Sequence, residues 1–320
     1  MHLVGIAKAA AASSLLEAKR KVDYRELATQ KWINRVPAGR HSFNWSINPY
    51  RGCEMACAYC YARYTHEFME LREPADFETR IFSKQWNPAA FRAELAAIPR
   101  SEAIALGTAT DPYQAAERRF QLTRKILTEF ARDAGRRIWI TTKSDLPARD
   151  LDLLEAVSRR HILLVNFTIT TLDAQLARQW EPGAPRPDLR LRALQQLSAR
   201  GIACGVIASP IAPQLNDDEA DLLRLAEAAK QAGARWFGGG SLFLKSPTKE
   251  VFLSFLAQQH LDLLPTYAAQ FGTHARLSPQ QQQTIEARLE RVRQATQLSR
   301  KAVWSVPEEF ESGRQLALFG

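Results

Sequence analysis

Asn48-Pro-Tyr-Arg-Gly-Cys53-Glu-Met-Ala-Cys57-Ala-Tyr-Cys60-Tyr-Ala-Arg63 gathers three of the chain's four cysteines into eight residues with the spacing C-x3-C-x2-C. Three thiolates in one short loop can bind three irons of a [4Fe–4S] cube, leaving the fourth iron without a protein ligand. Gly52 lets the backbone turn tightly into the loop. Tyr59 fills an aromatic position beside the last cysteine. A disulfide framework would spread an even set of cysteines along a much shorter chain, so clustered thiols read as a metal site in a reducing compartment.

Outward from the loop, apolar β-type runs alternate with amphipathic helical stretches. A first strand is expected over 42–48, and others over 103–106, 137–142, 163–170, 203–208 and 236–243. Helices are expected over 88–97, 117–134, 148–159, 189–200 and 217–232 between them. Strands separated by helices of this length form βαβ units and a parallel sheet. Six such units are fewer than the eight of a closed barrel. The predicted fold class is therefore α/β, a partial (β/α)6 barrel over 41–260. It is preceded by a basic, helical lead-in over 1–40, with a helical middle near 15–27 and a short helix at the alanine-rich Ala9–Ala12. Beyond 260 the strands stop, and a helical extension is expected over 261–306. There Ser278-Pro279-Gln280-Gln281 carries an N-cap serine, a first-turn proline and a capping-box glutamine.

Parallel sheets place chemistry at the C-terminal ends of their strands. That rule selects Gly107, Thr108 and Asp111 after the second strand, Lys143 after the third, and Thr168 and Thr170 after the fourth. Ser209 and Asn216 after the fifth are weaker candidates. The open iron of a C-x3-C-x2-C cluster is usually chelated by S-adenosylmethionine, whose sulfonium C–S bond then breaks to a 5′-deoxyadenosyl radical. Lys143 suits the methionyl carboxylate as a charge-assisted donor. Thr168 and Thr170 suit ribose hydroxyls or the carboxylate. The competing structural readings are a helix cap at Thr110-Asp111-Pro112, a solvated Lys143, and ordinary β-branched strand residues at 168 and 170.

On these residues the chain resembles the radical S-adenosylmethionine superfamily, and within it the DNA repair photolyase-like branch related to spore photoproduct lyase. The resemblance spans about 40–260. It rests also on Cys60-Tyr-Ala-Arg, Thr65-His-Glu, Asp76-Phe-Glu-Thr, Gly107-Thr-Ala-Thr-Asp-Pro-Tyr-Gln, Thr141-Thr-Lys-Ser and Leu215-Asn-Asp. It implies a radical enzyme acting on a nucleic-acid base or lesion, with a [4Fe–4S] cluster and S-adenosylmethionine as cofactors. Resemblance to the superfamily also implies that the turn after the second strand, here 107–111 with Thr108 and Asp111, receives the methionyl ammonium. A reductase, flavodoxin or ferredoxin is implied as electron donor. One departure stands out. The branch implies a hydrogen-donor cysteine at the end of the second strand, where this chain has none. Cys204 lies near the start of the fifth strand and reads as a small buried hydrophobe. The alternatives are a radical enzyme with a small-metabolite substrate and a non-catalytic nucleic-acid-binding protein carrying a cluster or a Cys3His zinc site completed by His66.

A net charge of +9 favours a polyanionic partner such as nucleic acid. Apolar content of 46% and charged content of 24% are those of a folded soluble chain. No run is long and apolar enough to predict a membrane span, and no signal peptide is read at the N-terminus, so a cytoplasmic location is expected. The segment 307–320 reads as a flexible tail. Its Gln315, Leu316, Leu318 and Phe319 match the Q-L-x-L-F pattern that docks bacterial repair and replication proteins on the sliding clamp.

Overall fold

The computed structural model describes residues 3–19, 22–29, 31–37 and 42–300. A short N-terminal helix, Gly5–Ala11, precedes strands β1 (Ser14–Lys19), β2 (Val22–Leu27) and β3 (Ile33–Arg35). There follow β4 (Trp45–Ile47), β5 (Tyr50–Arg51), β6 (Arg80–Lys84) and β7 (Ala103–Leu106). β8 (Arg137–Thr142), β9 (Ile162–Thr168), β10 (Ala203–Ile211) and β11 (Phe237–Ser241) complete the set.

Strands β4, β7, β8, β9, β10 and β11 are neighbours in that order, and every adjacent pair is parallel. They are the six strands expected from the sequence. All four residues of β7 and all seven of β9 are buried, as a parallel sheet covered by helices on its outer face requires. Ile104, Ile138, Val165 and Val206 belong to the core, and Ile104 is in register with Ile138, which is in register with Leu163. The sheet ends at β11 on one side, and on the other at β3, which pairs antiparallel with β4, so it is an open partial barrel.

Helices Pro88–Ala96, Leu122–Ala131, Leu151–Arg160, Pro187–Ala199 and Glu219–Gln231 fall between the strands as expected. Beyond the barrel lie Thr248–Gln259, Leu264–Phe271 and Pro279–Thr296, and the last begins with the predicted Ser278/Gln281 capping box. Among the described residues, no helix is long and apolar enough to cross a membrane.

The expected helix near 15–27 is instead the β1–β2 hairpin, a correction with a tertiary cause. β2 pairs in parallel with β6, and β5 pairs antiparallel with the other edge of β6. Val22 and Tyr24 suit a strand. Tyr24 and Leu27 are buried, and the partner edge that holds them comes from residues more than fifty positions later. This second, four-stranded sheet matters to function because β5 ends one residue before Gly52, where the cysteine loop begins. The segment 307–320, with the clamp-like Gln315, Leu316, Leu318 and Phe319, lies outside the described residues.

Candidate active site

The cysteine loop is pinned from several directions. At Gly52 (φ +82°) a Cβ would lie 2.8 Å from the Phe77 carbonyl and 2.9 Å from that of Arg80, so a side chain there is excluded twice over. The Cys53 amide donates to the Phe77 carbonyl at 2.8 Å. Gln114, fully buried, donates through Nε2 to the Gly52 carbonyl at 3.0 Å and accepts the Glu54 amide at 2.9 Å. Arg63 Nη2 donates to the Cys57 carbonyl at 3.1 Å, and Thr248 Oγ1 to the Cys60 carbonyl at 2.6 Å.

The loop's other flank is held by residues 180–190. The Ala58 amide donates to the Trp180 carbonyl at 2.9 Å and the Gly183 amide to the Met55 carbonyl at 3.1 Å. A Cβ on Gly183 would fall 1.8 Å from the Glu54 carbonyl, so only glycine allows this approach. Tyr59 OH donates to the buried carboxylate of Glu181, which is also ion-paired with Arg190 at 2.6 Å. Arg190 Nη1 in turn donates to the Thr168 carbonyl at 3.0 Å, tying this network to the end of β9.

At the C-terminal ends of the parallel strands lies a cavity of about 330 Å³. Cys53, Cys57 and Cys60 line it together with Tyr59, Gly107, Thr108, Asp111, Lys143 and Thr168. Nine of the ten predicted residues therefore share one space. Thr170 does not line it. Its hydroxyl donates to Glu181 at 3.3 Å, and its carbonyl accepts Asn216 Nδ2 at 2.8 Å. Of the weaker candidates, Ser209 lines the cavity, whereas Asn216 is buried and bonded to the Pro210 carbonyl as well.

Asp111 is a bolt between strand ends. Oδ1 accepts Thr142 Oγ1 at 2.7 Å and the Tyr113 amide at 2.9 Å, while Oδ2 accepts the Lys143 amide at 2.7 Å. The helix-cap alternative fails, since the helical turn Glu117–Phe120 has no side-chain cap and two of the three bonds run to Thr142 and Lys143 at the end of β8. Gly107 (φ +87°) starts the turn, where a Cβ would meet Pro112 Cδ at 2.4 Å. Asn48 holds the turn from β4, accepting the amides of Thr108 at 2.9 Å and Ala109 at 2.8 Å on one oxygen. Sequence reasoning missed Asn48, Gln114, Glu181 and Arg190 as site-builders. The first sits in the quoted motif, but Glu181 and Arg190 carry no local signature.

Lys143 Nζ lies 5.4 Å from the Tyr59 ring centroid. Burial alone would lower its value, but Cys57, Glu181, Cys60 and Asp111 together hold it above the ordinary lysine range, so it is a firm cation. Burial pushes the Cys57 thiol up to about 12 and those of Cys53 and Cys60 upward too. Thiols this buried become ligating thiolates only against added positive charge, which iron supplies. Among the described residues, no three His, Cys, Asp or Glu side chains converge on one point as a single metal ion requires. Cys53, Cys57 and Cys60 line one cavity, and three soft sulfur donors suit an iron–sulfur cube by their chemistry. His66 is turned away from them: Nε2 donates to the Arg80 carbonyl at 3.1 Å, and the ring packs edge-on against Phe77 and Phe82. Cys204, in β10, is fully buried and in register with Val165 of β9.

The sequence profile of the radical SAM superfamily matches residues 47–226, which is more than half of the chain. The chain belongs to the radical SAM superfamily. An uncharacterized protein of Mycobacterium tuberculosis is 33% identical over 270 residues, covering 84% of this chain and 79% of its own. An uncharacterized protein of Methanocaldococcus jannaschii is 30% identical over 205 residues, covering 62% and 71%. The fold is that of spore photoproduct lyase. Its complex with dinucleoside spore photoproduct superposes with a TM-score of 0.66 at 16% identity, over 85% of this chain and 79% of that one. A mutant of the same enzyme with bound AdoMet and dinucleoside spore photoproduct gives 0.62 at 16% identity, over 81% and 76%.

Proposed function

We propose that this chain cleaves S-adenosylmethionine reductively and turns the resulting radical on a nucleic-acid base or lesion. The observation that carries the reading is the convergence of Cys53, Cys57, Cys60, the 107–111 turn, Lys143 and Thr168 on one cavity at the strand ends. Cys53, Cys57 and Cys60 hold three irons of a [4Fe–4S] cluster. Together the cluster and S-adenosylmethionine supply one-electron scission of the sulfonium C–S bond and a 5′-deoxyadenosyl radical. Lys143, kept charged by its surroundings, receives the methionyl carboxylate. The 107–111 turn meets the ammonium with backbone, since the Asp111 oxygens are already committed to the chain. Thr168 offers a hydroxyl to the ribose. Met55, Ile207, Leu242 and Phe243 keep water from the reacting atoms. Electrons arrive from a reductase, flavodoxin or ferredoxin.

The nucleic-acid substrate is supported by the chain's positive charge and by the fold shared with an enzyme solved with dinucleoside spore photoproduct. The zinc alternative is disfavoured by His66, whose ring serves the Arg80 carbonyl. Anaerobic reconstitution with iron and sulfide, reduction with dithionite and analysis for 5′-deoxyadenosine test the reading. Product is expected from the native chain and not from Cys57→Ala. Reduced, cluster-loaded protein that never yields 5′-deoxyadenosine overturns it. Incubation with damaged DNA, RNA and a metabolite extract then separates a nucleic-acid base from a small metabolite.

A further inference from the structure

The cavity has the volume of one compact ligand. With S-adenosylmethionine inside, a substrate must meet it at the mouth. Ser241 at the end of β11 and the Leu242 and Phe243 that follow it line the cavity, and of these Leu242 is buried while Ser241 and Phe243 are half-buried and reach solvent. This segment is firmly placed. The Leu242 amide donates to the Ile211 carbonyl and the Leu244 amide to the Ala275 carbonyl, both at 2.9 Å. Phe243 forms an antiparallel bridge with Arg276, and Thr248 ties the far end to Cys60.

On this frame the Arg276 guanidinium lies 5.0 Å from the Phe243 ring centroid. Arg276 is exposed, and among the described residues no carboxylate pairs with it. The contrast is with the neighbouring helix Pro279–Thr296, where Arg288 pairs with Asp217, Arg291 with Glu219 and Arg293 with Glu290. His274, two residues before Arg276, and Lys245, two residues after Phe243, are exposed, and neither belongs to an ion pair among the described residues. The nearby acid Glu250 is engaged by the Ser246 hydroxyl. Another cavity-lining residue, Tyr61, leaves 53% of its surface in solvent.

We propose that Arg276, stacked on Phe243, is a phosphate subsite, and that the substrate is a single strand of nucleic acid laid across the mouth. This deepens the nucleic-acid reading given above and rests on it. A guanidinium stacked on an aromatic face keeps its N–H edge free for bidentate contact with a phosphodiester. Lys245 adds charge along the strand, and the exposed Tyr61 ring offers a face on which a base stacks. The ligand so defined is a phosphodiester-linked nucleotide, not a free base or nucleoside.

The test is fluorescence anisotropy of the full-length protein with a labelled twelve-nucleotide DNA strand, repeated with RNA of the same sequence, across a salt series. Arg276→Glu is expected to weaken binding about tenfold and to lower the slope of log affinity against log salt by about one. Arg159→Glu, which reverses the same charge, is the matched control. It removes an exposed arginine at the C-terminal end of helix Leu151–Arg160, on the face opposite the strand ends, and leaves affinity within about twofold. Circular dichroism and iron content establish that each variant folds. Unchanged affinity and slope in Arg276→Glu overturn the assignment. A native chain that yields 5′-deoxyadenosine yet binds neither strand overturns it too, while leaving the radical chemistry standing. A chain that binds through Arg276 but yields no 5′-deoxyadenosine supports the subsite and overturns the radical reading instead.

Discussion

Glu181 and Arg190 meet at 2.6 Å with side chains no more than 1% exposed, and the Glu181 carboxylate also receives the hydroxyl of Tyr59 from the cysteine loop. The pair is a hinge pin between two segments more than a hundred residues apart. Truncating Glu181→Ala strands a buried guanidinium, a change that typically costs about 3–5 kcal/mol. Urea unfolding should show a loss of that order. Iron content after reconstitution should fall as well, because Tyr59 loses its anchor. Glu181→Gln keeps the hydrogen-bond geometry and should retain more of both. If Glu181→Ala unfolds like the native chain, the pair is not holding the loop.

How much of this was readable beforehand depends on how local each cause is. The strands of the barrel announce themselves because their burial is two-sided: Ala103–Leu106 and Ile162–Thr168 are buried throughout and, save for Asn166 and Thr168, apolar, and the helices between them carry their own caps and stripes. The cysteine motif, Gly107 and Lys143 follow from spacing and from the strand-end rule. The β1–β2 hairpin does not, since Leu15–Leu27 mixes leucines with charges in a way that also fits a helix. Its strand state depends on Arg80–Lys84. Glu181 and Arg190 were equally invisible, because an acid and an arginine nine residues apart mean nothing until the fold buries both. The strand-end rule points to Asp111, which lines the cavity, but its oxygens serve Thr142, Tyr113 and Lys143, a commitment no local pattern reveals.

His66 gives the protein an acid-sensitive joint. Burial lowers its value from 6.5 to about 4, and Nε2 donates to the Arg80 carbonyl while Nδ1 has no hydrogen-bond partner. The folded state therefore favours the neutral ring and the unfolded state takes the proton first. Its contribution is complete above pH 6.5 and is lost as pH falls toward 4, in total roughly 3 kcal/mol. Denaturation midpoints measured between pH 7.5 and 5 should decline for the native chain and decline less for His66→Gln. Parallel pH profiles would remove His66 as the cause.

Lys143 carries the cofactor's carboxylate in the proposed arrangement. A hydrogen bond to a charged group is worth about 1.5–3 kcal/mol, so Lys143→Ala should raise the Kd for S-adenosylmethionine by roughly ten- to a hundredfold. Lys143→Arg keeps the charge and should lose less. Equilibrium dialysis on reconstituted protein reads the affinity, and the cluster's visible absorbance shows that the metal site is intact. Equal affinity in Lys143→Ala with a full cluster would mean that another group receives the carboxylate.

The C-terminal segment poses a separate question of recruitment. The described chain leaves the barrel beside β11, where the Phe237 amide donates to the Ser299 carbonyl at 2.9 Å and Arg300 pairs with Glu286 at 3.3 Å. Gln315 follows Arg300 by fifteen residues, a reach of at most about 50 Å for a chain of that length, enough to engage a second protein at a distance from the barrel. Gln315-Leu316-Ala317-Leu318-Phe319 offers two leucines and an aromatic ring to an apolar pocket and an amide to fix direction, the composition of a short docking peptide. The expected partner is a bacterial sliding clamp. Calorimetry with the purified clamp should give measurable affinity for the full chain and a loss of at least tenfold, about 1.4 kcal/mol, for a chain ending at Gly313. Leu318→Ala with Phe319→Ala should reproduce most of that loss, because the anchors rather than the chain length carry the contact. Equal affinities for the full and shortened chains would remove the clamp from consideration, and the rest of the chain would then have to find its substrate unaided.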